Sequence, residues 1–140
     1  MSANNLIVSI VDDDLDISLL FRDALKNIAE ITIIFFTDPF SALEHFKTMR
    51  HAYALVISDS KMPGLNGMEL LRKIKGMNPF VRTILITAFA IDQDLFMRYA
   101  EQKIINGFLR KPIRLDELRD EVKIQLLAYK LELKKGSKVS

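Results

Sequence analysis

Three consecutive carboxylates, Asp12, Asp13 and Asp14, follow the run LIVSIV (6–11), which is apolar except for Ser9. Two carboxylates about 4 Å apart repel by roughly 4 kcal/mol at an effective dielectric near 20, so a positive charge is expected among them. Groups able to join them lie far along the chain. Asp59 follows the central run ALVIS, Thr87 closes TILIT, and Lys111 stands just after INGFL. Three acids with no histidine or cysteine nearby make a hard-oxygen set suited to Mg²⁺, which keeps several waters and takes one or two carboxylates. Asp59 opens into SKMPGLNG, whose Pro63, Gly64 and Gly67 punctuate a turn. A carboxylate placed there can act as a nucleophile. If it attacks phosphorus it forms an acyl phosphate, whose charge must be met by a cation, a hydrogen-bond donor and positioning rather than by a base. Mg²⁺, Lys111 and Thr87 are of the required types.

Each residue also has a bland reading. Asp14 reads as the N-cap of the first helix. Asp12 and Asp13 can be a cap and its solvated neighbour, Asp59 an Asx-turn residue, Thr87 a β-branched strand end, and Lys111 a solvated lysine before Pro112. Convergence is what separates the two readings, so the elements that carry these residues decide the matter.

Five short runs, 6–11, 31–36, 54–58, 83–87 and 105–109, are apolar without strict polar alternation. Such runs suit strands buried on both faces of a parallel sheet. Between them the period is helical. Ile17, Phe21, Ala24 and Ile28 share one stripe of 15–29, and Leu70, Leu71, Ile74 and Met77 one stripe of 66–77. Asp38-Pro39 is a start signal for a further helix carrying Leu43 and Phe46. The last helix spans about 115–133, with one stripe of Leu115, Leu118, Val122, Leu126, Tyr129 and Leu133. A second stripe, Ile124, Leu127 and Leu131, exceeds what one sheet can cover. Strand and helix alternate five times, which predicts an α/β domain with helices on both faces and right-handed crossovers. In such open sheets a ligand site lies beyond the carboxyl ends of the strands, where Asp12, Asp13, Asp59, Thr87 and Lys111 all fall.

The chain has 140 residues, enough for one domain without staples, expected over 1–133 with a polar, frayed tail at 134–140. Its 20 basic and 18 acidic side chains give a net charge of +2, too small to argue for nucleic acid or an anionic membrane as partner. The absence of cysteine excludes a disulfide framework, a thiolate metal site and a cysteine nucleophile, and cytoplasm is the expected compartment. The start MSANNLIVSIVDDD reads as neither signal peptide nor membrane span. His45 and His51 read as surface residues, and Met62, Met68, Met77 and Met97 as packing.

The segments IVDDD, VISDSKMPGLNGMELL, ILITAFA and GFLRKPI stand in an order and spacing that resembles the receiver domains of two-component response regulators, including the single-domain chemotaxis type. The likeness covers about residues 6–129. It implies a flavodoxin-like (βα)5 doubly wound sheet of five parallel strands in the order 2-1-3-4-5. It also implies that Asp59 accepts a phosphoryl group from a sensor histidine kinase, a phosphotransfer protein or a small donor such as acetyl phosphate. Asp13 would ligate Mg²⁺ (or Mn²⁺) directly and Asp12 mainly through water, with Asp59 and the backbone carbonyl of Lys61 completing the protein ligands. Lys111 would pair with the phosphoryl oxygens, and Thr87 would move to hydrogen-bond one of them. Phe108 would be the aromatic switch, signalling to the fourth helix, fifth strand and fifth helix. An effector or a second copy would bind there, with Phe96, Met97 and Tyr99 among the contacts. Lys111-Pro112 resembles the family's cis peptide. On this reading the chain is no enzyme beyond its own phosphorylation and dephosphorylation.

The chain also departs from the family pattern. Ile104-Ile105 replaces the usual Gly-Ala pair, which predicts different packing at the end of the fourth helix. The switch ring lacks a hydroxyl. Phe89 and Lys61 occupy positions that tune phosphoryl loss, which predicts a shielded, slowly hydrolysed acyl phosphate. A scaffold that never takes phosphate competes, yet every acceptor-site residue is present. An aspartyl-nucleophile phosphatase of the haloacid dehalogenase type needs Asp-x-Asp-x-Thr/Val, and here Asp12 is followed four later by Asp16 and Asp14 by Ser18. A nucleotide-binding reading finds no Gly-rich phosphate loop.

Overall fold

The computed structural model describes residues 5–88 and 93–139, with side chains through Lys135 in the last helix. Its elements are β1 (Leu6–Val11), α1 (Leu15–Leu25), β2 (Ile31–Phe36), α2 (Pro39–Met49), a 3₁₀ turn (Arg50–Ala52), β3 (Tyr53–Asp59), α3 (Gly67–Met77), β4 (Arg82–Thr87), α4 (Gln93–Glu101), β5 (Gly107–Arg110) and α5 (Leu115–Val139). The strands pair in parallel in the order β2-β1-β3-β4-β5. This is the flavodoxin-like topology that the family resemblance implies.

The sheet is buried on both faces, which explains strands without polar alternation. One face packs Val8, Ile10, Leu55, Ile57, Ile84 and Ile86 against Phe21 and Leu25 of α1 and Leu118, Val122 and Leu126 of α5. The other packs Val11, Val56 and Leu85 against Phe46 of α2, Leu70, Leu71 and Ile74 of α3, and Tyr99 of α4. Helix starts are fixed by side-chain acceptors that satisfy first-turn N–H groups. Asp14 accepts from the Asp16 and Ile17 amides, Asp38 from Phe40 and Ser41 with Pro39 in the first turn, and Asn66 from Glu69.

Several boundaries differ from the sequence reading. α1 stops at Leu25, not near 29; a turn follows, and Glu30 at a left-handed φ of 70° leads the chain into β2. Ile28 still reaches the core from that turn, its N–H bonded to the Leu25 carbonyl at 3.1 Å. β5 begins at Gly107 rather than 105. Lys103, at φ 61°, ends α4 in a left-handed cap, and the Ile104 and Ile105 amides fold back on the Tyr99 carbonyl at 2.8 and 3.4 Å. The Ile104-Ile105 pair therefore serves the end of α4, with Ile105 buried. α5 passes the expected limit of 133 and runs to Val139. Leu133, Lys134 and Lys135 favour helix, and cations near a helix C-terminus meet its negative end.

Tyr99, expected at a partner surface, is instead 8% exposed, with its hydroxyl donating to Glu69 Oε1 at 2.7 Å. Met97, expected to pack, is 55% exposed. His45 is half-buried between Phe36 and Tyr53, with Nδ1 2.6 Å from the Tyr53 hydroxyl oxygen. The second stripe of α5 lies in solvent: Ile124, Leu127 and Leu131 are 58%, 59% and 51% exposed. Among the described residues, no helix is long and apolar enough to cross a membrane.

Candidate functional site

Strand register gathers the chemistry-bearing residues. Val11 lies opposite Ser58, Asp59 opposite Ile86, and Thr87 opposite Arg110. Asp12, Asp59, Thr87 and Lys111 therefore leave four adjacent strands along one rim. Backbone bonds hold that rim together: Asp12 N–H to the Phe36 carbonyl at 3.1 Å, Ser60 N–H to Ile86 at 2.8 Å, and Lys111 N–H to Thr87 at 2.8 Å. Side chains two residues apart on a strand share a face. Asp12 follows Ile10, Asp59 follows Ile57, and Lys111 follows Leu109, all three of which belong to the core under α1 and α5. Thr87 carries the opposite parity.

The carboxylates of Asp12, Asp13 and Asp59 bring ligand oxygens within 4.8 Å of one another. Asp12 and Asp59 are buried and Asp13 is exposed, so the cluster opens to solvent on one side. Lys111 Nζ lies 2.9 Å from Asp59 Oδ1 and supplies the positive charge that the crowded acids require. Burial pulls the Lys111 ammonium down, but Asp59, Asp12 and Asp13 outweigh it and raise its pKa above the ordinary lysine value. Burial pushes Asp12 up to about 6, against the lowering effect of the Asp14 N–H and with a further push from the Asp59 charge.

One Asp12 oxygen, Oδ1, accepts from the Asp14 amide at 2.9 Å. The other, Oδ2, is buried without a hydrogen-bond partner among the described residues. A buried carboxylate oxygen without a donor is costly. That orphan oxygen, with two further carboxylates in reach and no softer donor, fits a hard divalent cation.

Sequence reasoning read Gly67 only as part of a turn, yet its lack of a side chain sets the site. A Cβ at Gly67 would stand 2.1 Å from the Asp59 carbonyl oxygen. Gly67 N–H donates to the Ser60 carbonyl at 2.9 Å, and Ser58 Oγ donates to the Asp59 carbonyl at 2.9 Å. The start of α3 is thus pressed onto the backbone that carries the Asp59 side chain. The available signal was a glycine directly after a helix cap, where a better helix former would be expected. Ser18 was missed as well: its hydroxyl, fully buried, bonds the Asp12 and Asp14 carbonyls at 3.2 and 3.0 Å and ties α1 to the acidic loop.

Thr87 is buried at the rim, but its hydroxyl donates to the Ala88 carbonyl at 3.3 Å rather than to Asp59. The Lys61 side chain is exposed, and Phe89 lies outside the described residues. Phe108 faces outward, 40% exposed, edge-on to Phe96 with ring centroids 5.1 Å apart. Lys111-Pro112 is cis, as the family resemblance implies. Asp14 serves as the cap and stands outside the three-acid cluster.

A family model described as the response regulator receiver domain matches residues 8–123. The chain is 36% identical over 69 residues to sporulation initiation phosphotransferase F of Bacillus subtilis (strain 168), covering 49% of this chain and 54% of that protein. It is 32% identical over 142 residues to the C4-dicarboxylate transport transcriptional regulatory protein DctD of Rhizobium meliloti (strain 1021), over 95% of this chain and 29% of that one. The chain thus spans about half the length of the first relative and under a third of the second. Among solved structures, a response regulator receiver domain protein from Clostridium thermocellum matches with TM-score 0.80 and 25% identity, over 90% of this chain and 98% of that chain.

Proposed function

The chain belongs to the receiver-domain family of response regulators, and on that premise we propose that Asp59 takes a phosphoryl group from a phosphohistidine on a sensor kinase or phosphotransfer protein. The observation that carries this reading is the buried Asp59 carboxylate, paired with Lys111 at 2.9 Å inside a three-acid cluster. The carboxylate oxygen not engaged by Lys111 attacks phosphorus in line. A P–O bond forms and the P–N bond breaks. Its electron pair leaves on the imidazole nitrogen, which takes up a proton, and an acyl phosphate remains on Asp59. Such a transition state is stabilised mainly by positioning and charge.

Asp12, Asp13, Asp59 and the Lys61 backbone carbonyl would hold Mg²⁺ (or Mn²⁺), which when bound neutralises charge on the phosphoryl oxygens. Lys111 moves its ion pair from the carboxylate to a phosphoryl oxygen. The Thr87 hydroxyl, now on the Ala88 carbonyl, rotates to donate to another. Space opened beside Thr87 lets Phe108 turn inward from its exposed position against Phe96. The surface of α4, β5 and α5 then changes for an effector or a second copy of the chain. The exposed stripe of Ile124, Leu127 and Leu131 adjoins that surface and offers it an apolar contact.

The experiment is incubation with acetyl phosphate and Mg²⁺, followed by intact mass. Wild type should gain one phosphoryl group and lose it in chelator, and Asp59→Asn should gain none. Equal uptake by Asp59→Asn, or uptake unaffected by chelator, would overturn the assignment.

A further inference from the structure

The acceptor residues occupy the carboxyl rim of the sheet; a different charge pattern marks the opposite rim. Two adjoining clefts of about 650 and 490 Å³ open where α3 and α4 end, β4 begins and α5 continues past the sheet. Arg82, Lys103, Asn106 and Glu132 line both. Lys134 and Lys135 line the larger and Lys75 the smaller, so five cations meet a single lining carboxylate.

Lys75 stands in the last turn of α3 and Lys103 just past the end of α4, so helix termini meet part of this charge without pairing it. Among the described residues, none of Lys75, Lys103, Lys134, Lys135 or Arg82 forms an ion pair. Lys75 Nζ has only the Pro79 carbonyl at 3.5 Å. Burial pushes Lys75 down to about 8, and the neighbouring Arg82 charge adds to it. Burial lowers Arg82 too, although Glu132 and Glu121 counter it. Arg82 is nevertheless held in position: Nε donates to Gln125 Oε1 at 2.8 Å, and Gln125 Nε2 donates to Glu121 at 2.8 Å. Lys75 and Arg82 are half-buried and the other three cations exposed, so an anion placed among them would relieve the buried pair most.

We propose that this cleft binds a polyphosphate group, free or as the tail of a nucleotide. The clefts are of small-ligand size. A fixed guanidinium beside several ammonium groups suits clustered phosphate oxygens, because arginine pairs bidentately with phosphate while lysine acts as a point charge. Asn106 spends its Oδ1 on the Thr83 N–H at 3.0 Å, which leaves its amide N–H groups as donors. Phe80, 52% exposed at the cleft edge, offers a ring face to a base. β4 rises roughly 17 Å from Arg82 to Thr87, so a ligand here lies clear of Asp59.

Calorimetric titration of the full chain at low ionic strength in chelator tests this, with inorganic tripolyphosphate and ATP as separate probes. Saturable binding that weakens with salt is expected. Lys75→Gln at a half-buried side chain and Lys103→Gln at an exposed one should each lower affinity about tenfold, whereas Asp59→Asn should leave it unchanged. ATP binding about tenfold or more above tripolyphosphate would assign the base a contact, and equal affinity would assign the phosphates alone. Absence of binding, equal binding by the lysine variants, or loss in Asp59→Asn alone would overturn the proposal. So would binding of poly-glutamate, sensitive to the lysine variants, with neither phosphate compound bound.

Discussion

Gly67→Ala and Gly76→Ala make the same chemical change on one helix and should give opposite results. Alanine favours helix over glycine by about 1 kcal/mol, so propensity alone predicts stabilisation at both positions. At Gly76 nothing lies within 4 Å of an added Cβ, and that gain should be realised. At Gly67 the Cβ would stand 2.1 Å from the Asp59 carbonyl oxygen and 3.0 Å from Ser58 Oγ. Reaching the 3.0 Å floor of real contacts parts α3 from β3 by about 0.9 Å, and the obstacle is backbone rather than a pliable side chain. Forced overpacking costs about 1–3 kcal/mol, and against an unyielding backbone the upper end applies, about 2 kcal/mol more than the propensity gain. Net of the propensity gain, the melting temperature should fall by up to about 7 °C in Gly67→Ala and rise slightly in Gly76→Ala. Because the displaced atoms carry Asp59, phosphoryl uptake should also fall, and a misplacement near 1 Å is worth about 100-fold. Thermal melts by circular dichroism, with uptake from acetyl phosphate timed by intact mass, read both effects. A Gly67→Ala protein that melts with wild type and takes phosphate at the wild-type rate would refute the packing argument.

Asp12→Asn removes one of three crowded acids, so the metal-free protein should melt higher while losing the stabilisation that millimolar Mg²⁺ gives wild type; melts with and without Mg²⁺ check this. Lys111→Gln leaves buried Asp59 without its cation. It should cost about 1 kcal/mol, since the lysine is partly solvated, and slow phosphoryl uptake at least tenfold, read by intact mass. The hydrogen bond from Tyr99 and the Arg72 pair hold Glu69 below its ordinary carboxylate range. That stability is present above the ordinary range and lost as pH falls through the lowered value, so Tyr99→Phe should flatten the acid limb of a melt-versus-pH profile. Beryllofluoride with Mg²⁺ should raise the mass measured by light scattering, and Leu127→Glu should abolish the rise if the α5 stripe is the contact.

The α/β layering was legible because uninterrupted apolar runs alternate with helical periods, while the strand order followed from the family resemblance. The rim was legible for the same reason: a charged residue directly after a buried strand has one place to go. What pattern could not supply was orientation at the strand ends. Thr87 reaches the rim with its hydroxyl on the Ala88 carbonyl, a consequence of strand parity that shared location does not reveal. Tyr99 resembled a surface ring until α3 supplied Glu69, a partner 30 residues away that no local period encodes. The left-handed turns at Glu30, leading into β2, and at Lys103, capping α4, left no signal in composition, because neither residue is a glycine. The role of Gly67 rests on a tertiary approach between α3 and β3, visible only with both backbones in place.

Trapping the phosphorylated residue tests the central claim most directly. Borohydride reduces an aspartyl acyl phosphate to homoserine, and peptide mass mapping then locates it. After acetyl phosphate and Mg²⁺, homoserine should be found at position 59 and nowhere else. Homoserine at position 12 or 13, or phosphate retained on a hydroxyl or imidazole side chain, would contradict the account.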